Sequence, residues 1–102
     1  MKKQIYDAVF RLFNKGDYSL TINVGGISLS LYDPEENNES PSVWNDGIVA
    51  NSAVYKVGEL FSDGKGPGTK AELFRGDYDI VDGLATQIYE DNFKEEDIHY
   101  IF

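Results

Sequence analysis

Two alternating runs of apolar and polar residues meet at a pair of glycines in the first third of the chain. The runs cover residues 18–24 and 27–32, and Gly25-Gly26 lies between them. Glycine adopts without steric penalty the positive φ angles that two-residue hairpin turns require. We therefore predict a hairpin over residues 18–32 whose apolar face must be covered. The apolar pairs are Val24 with Ile27, Ile22 with Leu29 and Leu20 with Leu31, and the polar face carries Ser19, Thr21, Asn23, Ser28, Ser30 and Tyr32.

An amphipathic helix is predicted immediately before the hairpin. Residues 2–15 carry apolar side chains at three- and four-residue spacing, and Gly16 follows where a helix commonly ends. The helix is the natural cover for the apolar face of the hairpin. Its apolar stripe consists of Ile5, Ala8, Val9, Leu12 and Phe13, widened by Tyr6 and Phe10.

A second helix is predicted over residues 77–92. Apolar residues recur every four positions from Ile80, and either Asp77 or Asp79 can cap the first turn. Gly83 lies inside this pattern, where we interpret it as a point of close packing against the sheet.

The chain between the hairpin and the second helix supports more than one interpretation. Residues 33–42 hold two prolines, two asparagines and four acids, which predicts a solvated loop. Asp46-Gly47 can turn a short hairpin between its flanking residues. Ser52 can begin a helix, but the β-branched content favours a strand over residues 53–57. Trp44 is interpreted as a core anchor, with an exposed interface residue as the alternative.

These elements predict an α+β fold in which all 102 residues form a single domain. A small antiparallel sheet is built on the central hairpin (18–32) and packs against the N-terminal helix and the second helix (77–92). Residues 63–68 are expected to form a mobile turn and residues 69–75 a further strand. Residues 98–102 form a final strand or a packed tail.

The charge of the chain is unusual and unevenly placed. The sequence holds 18 acidic and 9 basic residues, for a formal net charge of −9. Residues 33–46 hold five acids and no base, and residues 72–102 hold nine acids and two bases. Such a protein repels nucleic acid and anionic membranes and attracts basic surfaces, although acidity also serves solubility alone.

The sequence also predicts where the protein resides. There is no cysteine, no apolar core of a signal peptide and no run long enough to span a membrane. We expect the protein to reside in the cytoplasm. If the chain is phage-encoded, this would be the cytoplasm of the host cell.

Motifs for catalysis and cofactor binding fail on inspection. The glycine-rich stretch 63–68 does not form a Walker A loop, because Glu59 stands where the first glycine is required. His99 is the single histidine. No catalytic set with a cysteine is possible, and a Ser-His-Asp set would depend on this one residue near the end of the chain. The run Asp77-x-Asp79-x-x-Asp82-Gly83 departs from a calcium-binding loop, which has its glycine one position earlier. We expect no enzyme activity, no cofactor and no metal site.

Carboxylates held on a folded surface can occupy the positions of phosphates in a groove lined by lysine and arginine. We therefore expect a non-enzymatic inhibitor that binds a basic nucleic-acid-binding surface of a protein effector. Neither nucleic acid nor a membrane is expected as a direct partner. The candidate partner-binding residues are Asp79, Asp82, Glu90, Asp91, Glu95, Glu96 and Asp97, and in the loop Glu35, Glu36 and Glu39.

The layout also resembles a known class of proteins. The opening helix, the segment NKGDYSLTINVGG leading into the hairpin and the acid-rich C-terminal half resemble small phage-encoded anti-CRISPR proteins, among them Cas9 inhibitors that mimic DNA. The resemblance covers residues 8–32 in pattern and the remainder in acidity, and it carries over no individual site residue. It implies a stoichiometric inhibitor whose partner is a CRISPR nuclease or another nucleic-acid-binding enzyme.

Two other functions fit the same charge. One is an immunity-type protein that neutralises a basic bacterial toxin. The other is an oligomeric structural domain, such as a homodimer, whose acidity serves solubility only.

Overall fold

The computed structural model describes residues 1–40, 42–61 and 79–93. Within these ranges the fold is α+β, as predicted, and four antiparallel strands lie in the sheet in chain order. The helices are α1 (Lys2–Lys15) and α2 (Ile80–Asn92), and the strands are β1 (Thr21–Val24), β2 (Ile27–Tyr32), β3 (Gly47–Ala50) and β4 (Ala53–Lys56). Short 3₁₀ helices occupy Glu35–Asn37, Val43–Asn45 and Val57–Phe61.

Helix α1 confirms the predicted amphipathic helix and its end. Gly16 adopts the left-handed conformation with φ 63°, and its N–H donates to the Leu12 carbonyl. This geometry satisfies one of the carbonyls that a helix end leaves without a partner. The buried stripe of α1 consists of Ile5, Ala8, Val9 and Leu12.

The hairpin between β1 and β2 has the predicted register. Val24 pairs with Ile27 across the turn, and Gly25 and Gly26 have φ values of 57° and 90°. Tyr32 is an exception on the polar face, because it is only 8% exposed. At this end of the sheet, the face that carries the polar residues is therefore not fully exposed to solvent.

Strand β3 does not begin in the way the sequence suggested. The prediction of a turn at Asp46-Gly47 is wrong, because Gly47 is the first residue of β3 and pairs with Lys56. The connection to β4 lies instead at Asn51, which has a φ of 55°. A Cβ atom at Gly47 would lie 2.3 Å from the Tyr55 carbonyl oxygen, so glycine serves the close approach of two strands.

The predicted strand over residues 53–57 is confirmed as β4, and the alternative helix from Ser52 is wrong. The chain turns into a 3₁₀ helix at Val57, whose side chain is buried. Gly58 lies against the preceding 3₁₀ helix, where an added Cβ would lie 2.9 Å from the Trp44 carbonyl oxygen. Trp44 itself is half-buried, so its exposure lies between that of a core anchor and that of an exposed interface residue.

Helix α2 begins at Ile80, and Asp79 provides its N-cap by accepting from the Asp82 N–H at 2.9 Å. Gly83 makes a close contact, as expected, but the neighbour is Leu60 in the 3₁₀ helix rather than the sheet. The predictions for residues 63–68, 69–75 and 98–102 lie outside the described residues.

The two helices share the inner face of the sheet, which is the face that carries the core. Fully buried side chains from α1, the sheet and α2 meet there, among them Leu12, Leu29, Ile48 and Leu84. Neither α1 nor α2 packs on the opposite, outer face of the sheet. Neither described helix combines the length and apolarity needed to cross a bilayer.

Candidate protein-binding surface

The outer face of the sheet carries almost no charge. Thr21, Ser30, Val49 and Val54 are cross-strand neighbours and form one row across all four strands. Val54 is 38% exposed, although it is apolar. Adjacent strands lie about 4.8 Å apart, so this row makes a flat, uncharged strip roughly 14 Å wide.

Lys56 is the single charged residue within the four strands, and it forms an intramolecular ion pair. Its ammonium group pairs with Glu39 and lies 5.1 Å from the centre of the Tyr32 ring. The Tyr32 hydroxyl donates to the same carboxylate at 2.8 Å. Hydrogen bonds, first from Lys56 and then from Tyr32, lower the pKa of Glu39, and the bond to Glu39 raises the pKa of Lys56.

These contacts change the expected role of the loop after β2. Glu39 is committed to Lys56 and Tyr32, so it holds the loop against the sheet. Pro34 is buried, and Asn38 turns the chain with a φ of 60°. The segment predicted as a solvated loop is therefore anchored where it leaves the sheet and again at Glu39.

The first group of carboxylates near the outer face, which we call the loop rim, consists of Asp33, Glu35 and Glu36. Asp33 accepts from the Glu35 N–H at 3.0 Å, which fixes the start of the 3₁₀ turn. The side chains of Glu35 and Glu36 are exposed and form no ion pair with a described base. Partial burial, followed by the charges of Asp46, Asp33 and Glu35, raises the pKa of the nearby Tyr18 hydroxyl.

The second group, which we call the edge rim, consists of Glu59, Glu90 and Asp91. These residues line an open groove of about 470 Å³ between β4 and α2. The Tyr55 hydroxyl donates to Asp91 Oδ2 at 2.8 Å and so joins the edge strand to the last turn of α2. Burial, and then the bond to Asp91, raise the pKa of Tyr55 to about 12.

The acids expected to form one face of the second helix are therefore divided. Asp79 caps α2, and Asp82 lies 3.6 Å from the Lys2 ammonium, so neither belongs to a rim. Glu90 and Asp91 reach the edge rim. The other three candidates, Glu95, Glu96 and Asp97, lie outside the described residues.

Sequence reasoning missed two members of this surface. Glu59 belongs to a stretch with slightly more bases than acids, so the average charge of that stretch concealed it. Tyr18 was treated only as the start of a strand, yet it is 53% exposed beside the loop rim. A large exposed aromatic side chain next to carboxylates is the signal that local patterns could not supply.

The basic side chains of the described chain lie mainly on the other side of the sheet. Lys3, Arg11 and Lys15 are exposed on α1, which packs on the inner face. They therefore do not neutralise the loop rim across the sheet. The exposed bases of α1 therefore lie on the helical layer, whereas the loop rim borders the uncharged strip and the edge rim lies along β4, with Glu90 and Asp91 carried by α2.

The groups on this surface are hydrogen-bond acceptors and small uncharged side chains. Among the residues described, no three His, Cys, Asp or Glu side chains come together as ligands for a metal ion. The two rims present carboxylate acceptors, and the strip between them presents small hydroxyl and apolar groups. In comparisons with known proteins, the chain matches no family model, no curated protein and no solved structure.

Proposed function

We propose that this protein is a non-enzymatic acidic inhibitor that binds the basic, nucleic-acid-binding surface of a protein effector. The observation that carries the proposal is the uncharged strip of the outer sheet face, which the loop rim borders at the end of β2 and the edge rim borders along the groove between β4 and α2. Lys56, the only lysine of the four described strands, is paired with Glu39, and the exposed bases of α1 lie on the helix that packs against the inner face.

The physical basis of binding is charge complementarity around an uncharged centre. Lysines and arginines that normally neutralise phosphates would meet the carboxylates of the two rims. Potentials of this kind raise association rates and select partners, while burial of the central strip adds area. Val49 and Val54 provide apolar groups at that centre. In this way a folded protein can occupy the place of nucleic acid without being processed as a substrate.

The proposed partner is an enzyme that acts on nucleic acid, such as a CRISPR nuclease, and inhibition is stoichiometric. A basic bacterial toxin would fit the same surface, because its positive charge would also complement the carboxylates of the two rims. The identity of the captured partner distinguishes the two: the proposal requires a protein whose nucleic-acid binding competes with this chain.

The test is capture from nuclease-treated lysate on the immobilised protein, with washes of stepped salt and identification by mass spectrometry. We expect a nucleic-acid-binding protein that is released as salt rises and is displaced by added DNA or RNA. At physiological ionic strength, salt largely screens the interaction between exposed charges that are more than about 8 Å apart. A partner that is retained at high salt and ignores nucleic acid would contradict the proposal.

A matched pair of variants makes the test specific for the surface. Glu90→Lys reverses a charge in the edge rim, and Asp7→Lys makes the same change in charge on the exposed side of α1. We expect the first to weaken capture, so that the partner is released at lower salt, and the second to leave it intact. Equal losses in both variants would indicate a response to net charge alone.

A further inference from the structure

A second groove lies at the loop rim, between the outer sheet face and the 3₁₀ turn. It encloses about 440 Å³, and no lysine or arginine is among its lining residues. Tyr18 borders it with a ring that is 53% exposed, and Leu31 and Val49 supply apolar surface. Asp33, Glu36 and Asn37 supply polar groups from the loop. The groove thus combines an aromatic ring, an apolar floor and carboxylates.

Most of the side-chain polar atoms that the loop leaves available in this groove are hydrogen-bond acceptors. Asp33 uses Oδ1 to accept from the Glu35 N–H, which leaves Oδ2. The Asn37 side-chain nitrogen donates to the Asp33 carbonyl at 2.9 Å, which leaves the Asn37 Oδ1. Glu36 contributes a whole carboxylate. Besides rotatable hydroxyls and the second N–H of the Asn37 amide, the groove offers acceptors, which favours a ligand that donates several hydrogen bonds.

The same protein already holds one of its own cations between an aromatic ring and a carboxylate. The Lys56 ammonium lies over the Tyr32 ring and pairs with Glu39, which also accepts from the Tyr32 hydroxyl. An aromatic ring and a carboxylate from the same loop together bind a positive charge there. Tyr18 and Glu36 bring the same two kinds of group to the groove, and its lining residues include no lysine or arginine.

We infer that this groove receives an arginine side chain of the protein partner, with the guanidinium stacked on Tyr18 and hydrogen-bonded to Asp33 and Glu36. Guanidinium is planar, donates five N–H groups in a fixed fork and accepts none. It stacks on aromatic faces and binds carboxylates through two bonds at once. A lysine ammonium carries the same charge but lacks the plane, so the groove selects arginine.

The inference rests on the proposed function only in one respect, namely that the arginine belongs to a protein partner. Small probes can therefore test the binding of arginine in the groove by itself. The probes are N-acetyl-arginine methylamide, its lysine counterpart and its neutral citrulline counterpart, followed by amide NMR shifts. We expect arginine to shift the amides around Tyr18, Ser30 and Asn37, lysine to bind more weakly and citrulline to have no effect. Tyr18→Ala should weaken arginine binding about fivefold, and Tyr18→Phe should preserve it.

A second variant separates the groove from general acidity. Glu36→Gln should weaken arginine binding, whereas Glu59→Gln, in the edge rim, should not. Shifts spread over every acidic segment, or binding that ignores Tyr18→Ala, would overturn the inference even if partner capture succeeds. Conversely, localised arginine binding without capture of a nucleic-acid-binding protein would leave the groove in place and contradict the proposed function alone.

Discussion

Lys56 in the edge strand and Glu39 in the loop after β2 form an ion pair that reaches across the outer face of the sheet. The pair lies beside Tyr32, whose hydroxyl donates to the same carboxylate at 2.8 Å. It therefore neutralises the only base of the strands and fixes the loop that carries Glu35 and Glu36. Glu39 supports the binding surface, although the sequence had suggested that it contacts the partner directly.

Glu39→Gln should make the loop easier to cleave by protease and lower the thermal midpoint near neutral pH. The pKa of Glu39 is lowered from 4.5 in the folded protein, so its stabilising effect is present above pH 4.5 and lost as the pH falls through the lowered value. The difference between wild type and variant should therefore shrink in acid. Glu35→Gln, in the same loop without a lysine partner, is the control and should match wild type throughout.

Tyr55→Phe should destabilise the protein by about 1 kcal/mol, because it removes the hydrogen bond that joins β4 to α2. The pKa of Tyr55 is raised from 10.0 to about 12, so the unfolded chain loses this proton first as the pH rises. The stabilisation should be complete below pH 10 and disappear towards pH 12. In a pH titration followed by tyrosinate absorbance, the ionisation at the highest pH should be absent from Tyr55→Phe and present in Tyr18→Phe.

Gly47→Ala should cost about 3 kcal/mol in the free energy of unfolding, measured by denaturant titration. The added methyl would lie 2.3 Å from the Tyr55 carbonyl oxygen and 2.9 Å from Lys56 Cα, both of them backbone atoms. Gly83→Ala is the comparison, because its contact is with the movable side chain of Leu60 at 3.1 Å. Better helix propensity offsets that contact, so we expect stability within about 1 kcal/mol of wild type. Similar losses in both variants would contradict this interpretation.

Asp79→Ala should cost about 1 kcal/mol, because it removes the side chain that accepts from the Asp82 N–H. Asp79→Ser should restore most of the loss, since serine is also a good N-cap. Thermal unfolding of the three proteins provides the measurement. A variant with serine that is as unstable as the one with alanine would show that the charge of Asp79, rather than its cap, is what matters.

The elements that the sequence predicted well are those whose causes are local. The helix over residues 2–15 and the Gly25-Gly26 turn follow from spacing and backbone freedom within a few residues. The error at Asp46-Gly47 has a distant cause, because Gly47 is required by the approach of Tyr55 on another strand. A dipeptide that commonly forms turns gives no indication of such a contact.

The candidate surface was predictable in charge but not in arrangement. The sequence revealed an acidic loop and an acidic C-terminal third, but not which carboxylates are engaged inside the fold. Lys56 reaches Glu39 from a strand 17 positions away, and Lys2 approaches Asp82 from the first turn of the chain. Pairings between distant elements decide which acids remain for a partner, and only the assembled fold reveals them.

The most direct test of the outer face as the binding surface is the association rate with the captured partner, measured at increasing salt. We predict that the rate of wild type falls steeply with salt, and that Glu36→Lys combined with Glu90→Lys lowers it at least about tenfold at low salt. Asp7→Lys, on α1 and outside both rims, should leave the rate nearly unchanged. A rate that is insensitive to salt, or that falls equally in all variants, would contradict the account.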